Sequence, residues 1–168
     1  MAERSLIGYD ALAIEQGVST TYAGDRVGAV LWPNGRRICA FPNGTNENFM
    51  VTRDVQIPPN YEGGTLRLYL YWIAWANSGN VYWQVVVDSI GSGDSTGLGY
   101  DFLNPNYIIV AAPAVTYNLK VDLITLTHAD AAVAGDIIKL GIRRNSASAS
   151  DTCAALAAIL ALELRELL

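Results

Sequence analysis

Thr65–Trp75, which reads Thr-Leu-Arg-Leu-Tyr-Leu-Tyr-Trp-Ile-Ala-Trp, decides the fold class. Side chains alternate between two faces of this segment without a break over eight residues. One face carries four large apolar side chains: Leu66, Leu68, Leu70 and Trp72. Such period-two alternation, rich in aromatic and branched residues, is typical of a β-strand with one buried face. The second face, with Arg67, Tyr69, Tyr71 and Ile73, is unusually apolar for a face in contact with water.

A second alternating run, Val81–Ile90, follows after the turn-forming residues Asn77-Ser78-Gly79-Asn80. Trp83 lies in phase with valines on one face, and Tyr82 and Gln84 lie on the other. Two alternating runs separated by a short polar turn favour a β-hairpin. We therefore predict that these two strands pair with each other.

Further strands are predicted on both sides of this pair. Val27–Trp32 and Arg36–Phe41 flank a Pro-Asn-Gly turn, and a third run, Phe49–Ile57, changes phase at Arg53–Asp54, as a β-bulge would. Alternation predicts four more strands: Tyr107–Ala111, Leu119–Leu126, Ile137–Arg143 and, within Cys153–Leu168, a last strand around Leu160, Leu162 and Leu164. Alanine and leucine there also have high helix propensity, so a C-terminal helix is the alternative.

Eight to ten short strands with little helix predict an all-β fold, an antiparallel two-sheet sandwich of the jelly-roll type. A chain of 168 residues is the size of one domain, which we place at residues 26–168. Residues 1–25 are weakly patterned and are predicted to form an extended N-terminal arm, with disorder as the alternative. Five apolar residues are candidates for anchoring the arm to a neighbouring subunit or larger surface: Leu6, Ile7, Tyr9, Leu12 and Ile14.

Composition favours self-association. Charged residues make up only 16% of the chain and hydrophobic residues 51%, against about 25% charged in an average protein. Part of the apolar surface is therefore expected to be covered by another copy. A net charge of −5 without a basic stripe argues against nucleic acid as a partner. No run of about 20 apolar residues and no signal-peptide pattern is present, so no membrane partner is expected and synthesis is expected in the cytoplasm.

The sequence predicts no catalytic residue, no metal site and no cofactor. His128 is the only histidine, and with the two distant cysteines Cys39 and Cys153 it does not supply a zinc site. The two cysteines could form one disulfide, but they are not a disulfide framework, and free thiols are favoured. Nucleophile and phosphate-loop motifs are absent. Calcium remains an alternative, because Asp88, Asp94 and Asp101 bracket a glycine-rich loop. Solvated loop acids are the favoured interpretation.

Aromatic residues provide the candidate functional surface. Rings of this kind are common at protein interfaces. The second face of the two predicted hairpin strands, which carries the tyrosines, could be covered by another subunit, by the arm or by a ligand, and a subunit is favoured. The candidates for the subunit interface or ligand face are Tyr69, Tyr71, Ile73, Trp75 and Tyr82.

Several motifs resemble one family. They are Ile57-Pro-Pro-Asn-Tyr-Glu-Gly-Gly-Thr-Leu66, Leu70-Tyr71-Trp72, Ser78-Gly-Asn-Val-Tyr-Trp-Gln-Val85, Ala134-Gly-Asp-Ile-Ile-Lys-Leu-Gly-Ile-Arg-Arg144 and Ser150-Asp151-Thr152. Together these motifs resemble small bacteriophage virion-associated jelly-roll proteins of the capsid decoration or fibre type. The resemblance covers about Phe49 to Leu168. It departs after Arg144, where serine and alanine replace acidic residues.

The resemblance implies a virion structural protein, either a capsid decoration or cement protein or a short fibre module. Such a module would self-assemble through apolar β-sheet faces, with a trimer favoured. Its partners would be the major capsid protein or other virion proteins, and its location the virion, after synthesis in the host cytoplasm. The alternative is a carbohydrate- or receptor-binding module for host attachment, with a surface glycan as partner.

Overall fold

The computed structural model describes residues 2–10, 14–16, 28–31, 37–44, 48–94 and 104–168. Within these ranges the chain forms twelve β-strands and no helix. The strands are β1 (Glu3–Asp10), β2 (Ile14–Gln16), β3 (Gly28–Leu31), β4 (Arg37–Phe41), β5 (Asn48–Thr52), β6 (Val55–Gln56), β7 (Thr65–Ala74), β8 (Asn80–Ile90), β9 (Asn106–Ala111), β10 (Lys120–Leu126), β11 (Ile137–Arg144) and β12 (Ala157–Leu167).

The strands form two antiparallel sheets. Sheet A has the order β10-β7-β12-β4-β3, and β1 also pairs with β12. Sheet B has the order β2-β5-β11-β8-β9, and β6 also pairs with β11. From β4 onward, the partners in each successive pair (β4 and β5, β7 and β8, β9 and β10, β11 and β12) lie in opposite sheets. This is the jelly-roll arrangement of two Greek keys, and it confirms the predicted fold class.

The core lies between the two sheets. Leu66, Leu68, Leu70 and Trp72 are buried on the inner face of β7, as their alternation predicts. The ring of Trp72 meets that of Trp83 from β8 edge to face, with 5.7 Å between centroids. Phe41 of β4 packs against the same Trp83 ring at 5.1 Å. Edge-to-face aromatic packing of this kind ties sheet A to sheet B.

The predicted hairpin of Thr65–Trp75 with Val81–Ile90 is wrong in its pairing. Both strands exist, but β7 pairs with β10 and β12, whereas β8 pairs with β9 and β11. Residues 75–79 therefore cross from one sheet to the other. The physical reason is burial: Trp72 and Trp83 face each other across the core, which two neighbours in one sheet could not do.

Residues 3–10 of the predicted N-terminal arm form a strand of the sandwich. β1 pairs antiparallel with the last part of β12, from Glu3 opposite Leu167 to Asp10 opposite Ala161. The amide of Leu168 donates to the carbonyl of Ala2 at 3.0 Å, so the two ends of the chain lie side by side. The predicted boundary after residue 25 lies outside the described residues.

The five residues predicted to anchor the arm lie in different surroundings. Ile7 is buried in the core, and Leu6 packs against it. Tyr9 lies opposite Leu162 in the β1–β12 ladder, and Ile14 lies opposite Thr52 in β2. Leu12 lies outside the described residues. Ile7 and Leu6 therefore contact their own chain.

The predicted bulge at Arg53–Asp54 is confirmed. Along β11, Ile138 pairs with Val55 and Gly141 pairs with Val51, so four steps on one side match three on the other. The extra residue disturbs the ladder next to Leu140. The amide of Leu140 donates instead to Oγ1 of buried Thr52, at 2.9 Å.

A buried ion pair fixes the segment between β11 and β12. Arg144 donates to both carboxylate oxygens of Asp151, at 2.7 and 2.8 Å, and neither side chain is exposed to solvent. The guanidinium also donates to the carbonyls of Cys153 and Ala155. Asp151 in turn accepts the amide of Tyr82 at 3.0 Å. The loop is thereby fastened to β8, and the following residues form β12 as predicted.

Replacing Arg144 should test this ion pair. Arg144→Met leaves Asp151 as an uncompensated buried charge, which costs about 3–5 kcal/mol of unfolding free energy. Urea unfolding followed by tryptophan fluorescence would measure the loss. The exposed Arg53 provides the control, since Arg53→Met should change stability by less than about 0.5 kcal/mol. Equal stabilities of the two variants would contradict the role assigned to Arg144.

Candidate functional site

The outer face of sheet B carries an aromatic and polar row across three strands. Tyr107 of β9 lies directly opposite Gln84 of β8, and Gln84 lies opposite Arg143 of β11. Because directly opposed residues point to the same side of a sheet, the three side chains share one face. Tyr82 lies on that face two residues from Gln84. We call these four residues, Tyr82, Gln84, Tyr107 and Arg143, the aromatic platform.

The platform combines an open ring with ordered polar groups. Tyr107 is 60% exposed, and its ring meets that of Tyr82 at 5.5 Å between centroids. Gln84 and Arg143 are only 5% and 7% exposed. Nε of Arg143 donates to Oε1 of Gln84 at 2.6 Å, and Nε2 of Gln84 contacts the hydroxyl of Tyr82 at 3.3 Å. These contacts fix the orientation of the amide beside the exposed ring.

Such an arrangement is suited to binding a ligand. An exposed aromatic ring provides a flat apolar surface with a polar hydroxyl at its edge. The buried Gln84 amide donates to the Tyr82 hydroxyl and so holds that polar group in position beside the exposed ring. The platform itself contains no carboxylate and no histidine that could act as a general acid or base.

Four of the five predicted surface residues lie on sheet A instead. Tyr69, Tyr71, Ile73 and Trp75 lie on or just beyond β7, on the outer face of sheet A, whereas Tyr82 lies on sheet B. All five were predicted to lie on one hairpin, and the crossing between β7 and β8 separates them. They do not form one surface.

The tyrosines on sheet A belong to a charged network. Tyr69 donates its hydroxyl to Glu3 at 2.5 Å, and Tyr71 donates to Glu163 at 3.0 Å. Arg165 bridges the two carboxylates, at 3.4 and 2.8 Å, and stacks 4.2 Å above the Tyr69 ring. Glu3 belongs to β1, which lies beside β12 in the same sheet, so its side chain reaches across β12 to the tyrosine of β7.

This network shifts the pKa of its carboxyl groups. The hydrogen bond from Arg165 is the main cause that lowers the pKa of Glu163 to about 2, against the opposing effect of burial. Hydrogen bonds from Tyr69 and Arg67 lower the pKa of Glu3. The same contact with Glu3 raises the pKa of Tyr69. Both carboxylates are therefore held in their charged form.

The remaining two predicted residues flank a small apolar cluster. Ile73 is nearly buried and packs with Ile38, Ala40 and Ala158 on the outer face of sheet A. Trp75 packs against the edge of this cluster, and its ring meets that of Tyr117 at 5.7 Å. The sandwich thus has a second, smaller hydrophobic layer outside its core.

Two of the three acidic loop residues considered for calcium, Asp88 and Asp94, lie in the described part of the chain. Asp94 accepts the amide of Gly91 at 2.8 Å. Burial, together with nearby Asp130, raises the pKa of Asp88. Asp101 lies outside the described residues. Across the described ranges, no three His, Cys, Asp or Glu side chains are grouped as a metal would require.

The remaining reactive side chains are isolated. Cys39 and Cys153 are both buried free thiols, as expected, and burial raises the pKa of Cys39 to about 11. A thiol with so high a pKa is a poor nucleophile at neutral pH. The backbone of exposed His128 is hydrogen-bonded to the amide of Asn106 at both its N–H and its carbonyl.

No helix in the described part of the chain is long and apolar enough to span a bilayer.

Sequence reasoning missed three of the four platform residues: Gln84, Tyr107 and Arg143. Alternation placed Gln84 on the outer face of its strand, but the sequence did not show that β9 and β11 are the neighbours of β8. Proximity of an aromatic, an amide and a guanidinium group depends on that pairing. The one available signal was the shared outward phase of Tyr82 and Gln84.

Comparisons with known proteins agree on the fold alone. No protein-family model and no curated protein matches the sequence. The structure is similar to the exo-beta-1,3-galactanase from Phanerochaete chrysosporium with galactose, at a TM-score of 0.52 and 12% identity. That match covers 96% of this chain but only 29% of the galactanase chain. The CBM22-1 xylan-binding domain from Paenibacillus barcinonensis Xyn10C has a TM-score of 0.47 and 11% identity, with 98% and 96% coverage.

Acid should weaken the sheet A network in a defined pH window. The lowered pKa of Glu163 means that its contribution to stability is present above about pH 4.5 and is lost as the pH falls towards about 2. The melting temperature of the protein should fall across that window. Glu163→Gln should flatten the dependence, whereas Glu62→Gln, at a largely exposed side chain, should retain the wild-type slope. Equal slopes for both variants would contradict the assignment.

Proposed function

We propose that this protein is a non-enzymatic carbohydrate-binding module that holds its ligand on the aromatic platform of sheet B. The observation that carries the proposal is the exposed Tyr107 ring beside Tyr82 and an oriented amide. Sugars have apolar C–H faces and a rim of hydroxyl groups. An aromatic face and neighbouring polar side chains complement both features.

The polar groups beside the ring would provide specificity. Gln84 is held by Arg143 at 2.6 Å, so its amide needs little further ordering when a ligand binds. Pre-organised groups lose less conformational entropy on binding than mobile ones. A saccharide with its ring face on Tyr107 would place a hydroxyl near the hydroxyl of Tyr82, which Gln84 holds in position.

The choice of probe follows from the similar structures. One is described with galactose, another as xylan-binding, and a third, TmCBM61, in complex with beta-1,4-galactotriose. Those descriptions apply to those proteins. They make β-linked galactose and xylose oligosaccharides the first ligands to test here.

Tyr107→Ala should weaken saccharide binding by about tenfold or more, because it removes the exposed stacking surface at the centre of the platform. A glycan array would identify the ligand, and titration calorimetry with the best oligosaccharide would give the affinity of each variant. The melting temperature should change little, since the Tyr107 side chain is largely exposed.

Tyr117→Ala is the matched control. Tyr117 is also a tyrosine with substantial exposure, 49%, but it lies beside Trp75 next to sheet A. Its removal should leave binding unchanged. The proposal fails if no saccharide on the array binds, or if Tyr117→Ala reduces binding while Tyr107→Ala does not.

A second candidate is a bacteriophage virion structural protein that assembles through a sheet face. The sequence resemblance supports it, and so does the apolar cluster on the outer face of sheet A. The cluster itself is already buried within the chain, so another subunit would pack on the half-buried side chains around it. Trp75, Tyr71 and Leu160 would form the rim of that contact.

Native mass distinguishes this candidate. A virion module of the favoured type should give a mass three times that of one chain in light scattering, and the mass should persist on dilution. Trp75→Ser should reduce it, because the tryptophan ring contributes the largest apolar area at the rim. A wild-type protein without trimers, or trimers that Trp75→Ser leaves intact, would argue against assembly through this face.

A further inference from the structure

The sheet edges of this protein are protected in different ways. Natural edge strands avoid pairing with other chains by being short, by carrying charges or by containing bulges. β2 and β3 have only three and four residues. β1 carries Glu3, Arg4 and Asp10, and its register shifts between Ser5 and Ile7. β10 carries Lys120 and Asp122.

β9 has none of these protections. Its six residues, Asn-Tyr-Ile-Ile-Val-Ala, include no charge and no proline, and its ladder with β8 runs without a shift from Asn106 to Ala111. In the described part of the chain, β9 pairs with β8 alone and ends the order of sheet B. Tyr107 and Ile109 are 60% and 41% exposed. An uncharged, flat, apolar edge of this kind is a template for another strand.

The free backbone groups of this edge can be identified. The amide of Ala112 donates to the carbonyl of Gly79 in the turn before β8, at 2.8 Å. Because hydrogen-bonded and non-hydrogen-bonded pairs alternate in an antiparallel ladder, Val110 and Ile108 also bond towards β8. Tyr107, Ile109 and Ala111 then direct their N–H and C=O groups outward. Consistently, the carbonyl of Ala111 accepts Nζ of Lys120 at 2.7 Å.

We propose that β9 pairs antiparallel with β9 of a second copy of this chain, which joins the two B sheets into one continuous sheet. A twofold axis at Ile108 sets Tyr107 opposite the partner's Ile109. This register uses the outward groups of Tyr107 and Ile109 and leaves the carbonyl of Ala111 to Lys120.

The side chains also favour an identical strand as the occupant. In this register an aromatic ring lies across from a β-branched side chain on each side of the axis, a favourable cross-strand pair. No like charges meet, since β9 has no charged residue. A twofold contact satisfies both edges at once and closes the assembly at two copies.

The experiment compares wild-type protein with two lysine variants over a dilution series in sedimentation equilibrium. Wild-type protein should be a dimer that dissociates on dilution. Ile109→Lys should weaken dimerisation at least about tenfold, since the new lysines of the two copies would lie on either side of the axis and place like charges at the joined edge. Val121→Lys is the control, because Val121 is equally exposed, at 45%, on the β10 edge of sheet A. It should leave the dimer unchanged.

Hydrogen exchange on the wild-type protein tests the interface without relying on a variant. The amides of Tyr107 and Ile109 should gain protection as the protein concentration rises, since each becomes hydrogen-bonded in the dimer. A monomer at all concentrations, a trimer, a dimer resistant to Ile109→Lys, or a dimer without added protection at these two amides would each overturn the proposal.

Discussion

The packing of Trp72 against Trp83 across the core is the contact on which the rest of the structure depends. β7 and β8 follow each other in the chain but lie in opposite sheets, and this brings the two ring centroids to 5.7 Å from each other. The indole of Trp72 donates to Asp122 of β10 at 2.7 Å, which fixes the orientation of its ring. Because side chains alternate, an inward Trp83 obliges its neighbours Tyr82 and Gln84 to face outward. The aromatic platform is therefore positioned by the core.

Alternation predicted the strands and their faces but could not predict which strands pair. Leu66 to Trp72 were assigned to the core correctly, because burial of one face is a property of a single strand. The hairpin prediction was wrong, because a short polar turn serves a crossing between sheets as well as a hairpin. The platform was not predicted, for the same reason. Tyr107, Gln84 and Arg143 are far apart in sequence and meet only through the β9-β8-β11 order. Local pattern contains no information about that order.

Buried charges fasten the sandwich at two further places. Arg144 holds Asp151 and the segment leading to β12, while Arg4 of β1 pairs with Glu166 of β12. Burial alone would raise the pKa of Glu166, but Arg4 and the amides of Gly64 and Glu62 outweigh it and lower that pKa. In both places a carboxylate is satisfied by one arginine and by backbone amides. Removing the arginine from either pair would leave a buried carboxylate without its counter-ion, which is destabilising.

The strand order also determines when the fold can form. β11 and β12 are the last two strands of the sequence, yet each lies in the middle of its sheet, between β5 and β8 and between β4 and β7. During synthesis the earlier strands emerge from the ribosome without their central neighbours. Neither sheet can close until β11 and β12 are available, so the earlier strands remain incompletely paired until then. Pairing between strands that are so far apart in the sequence slows folding.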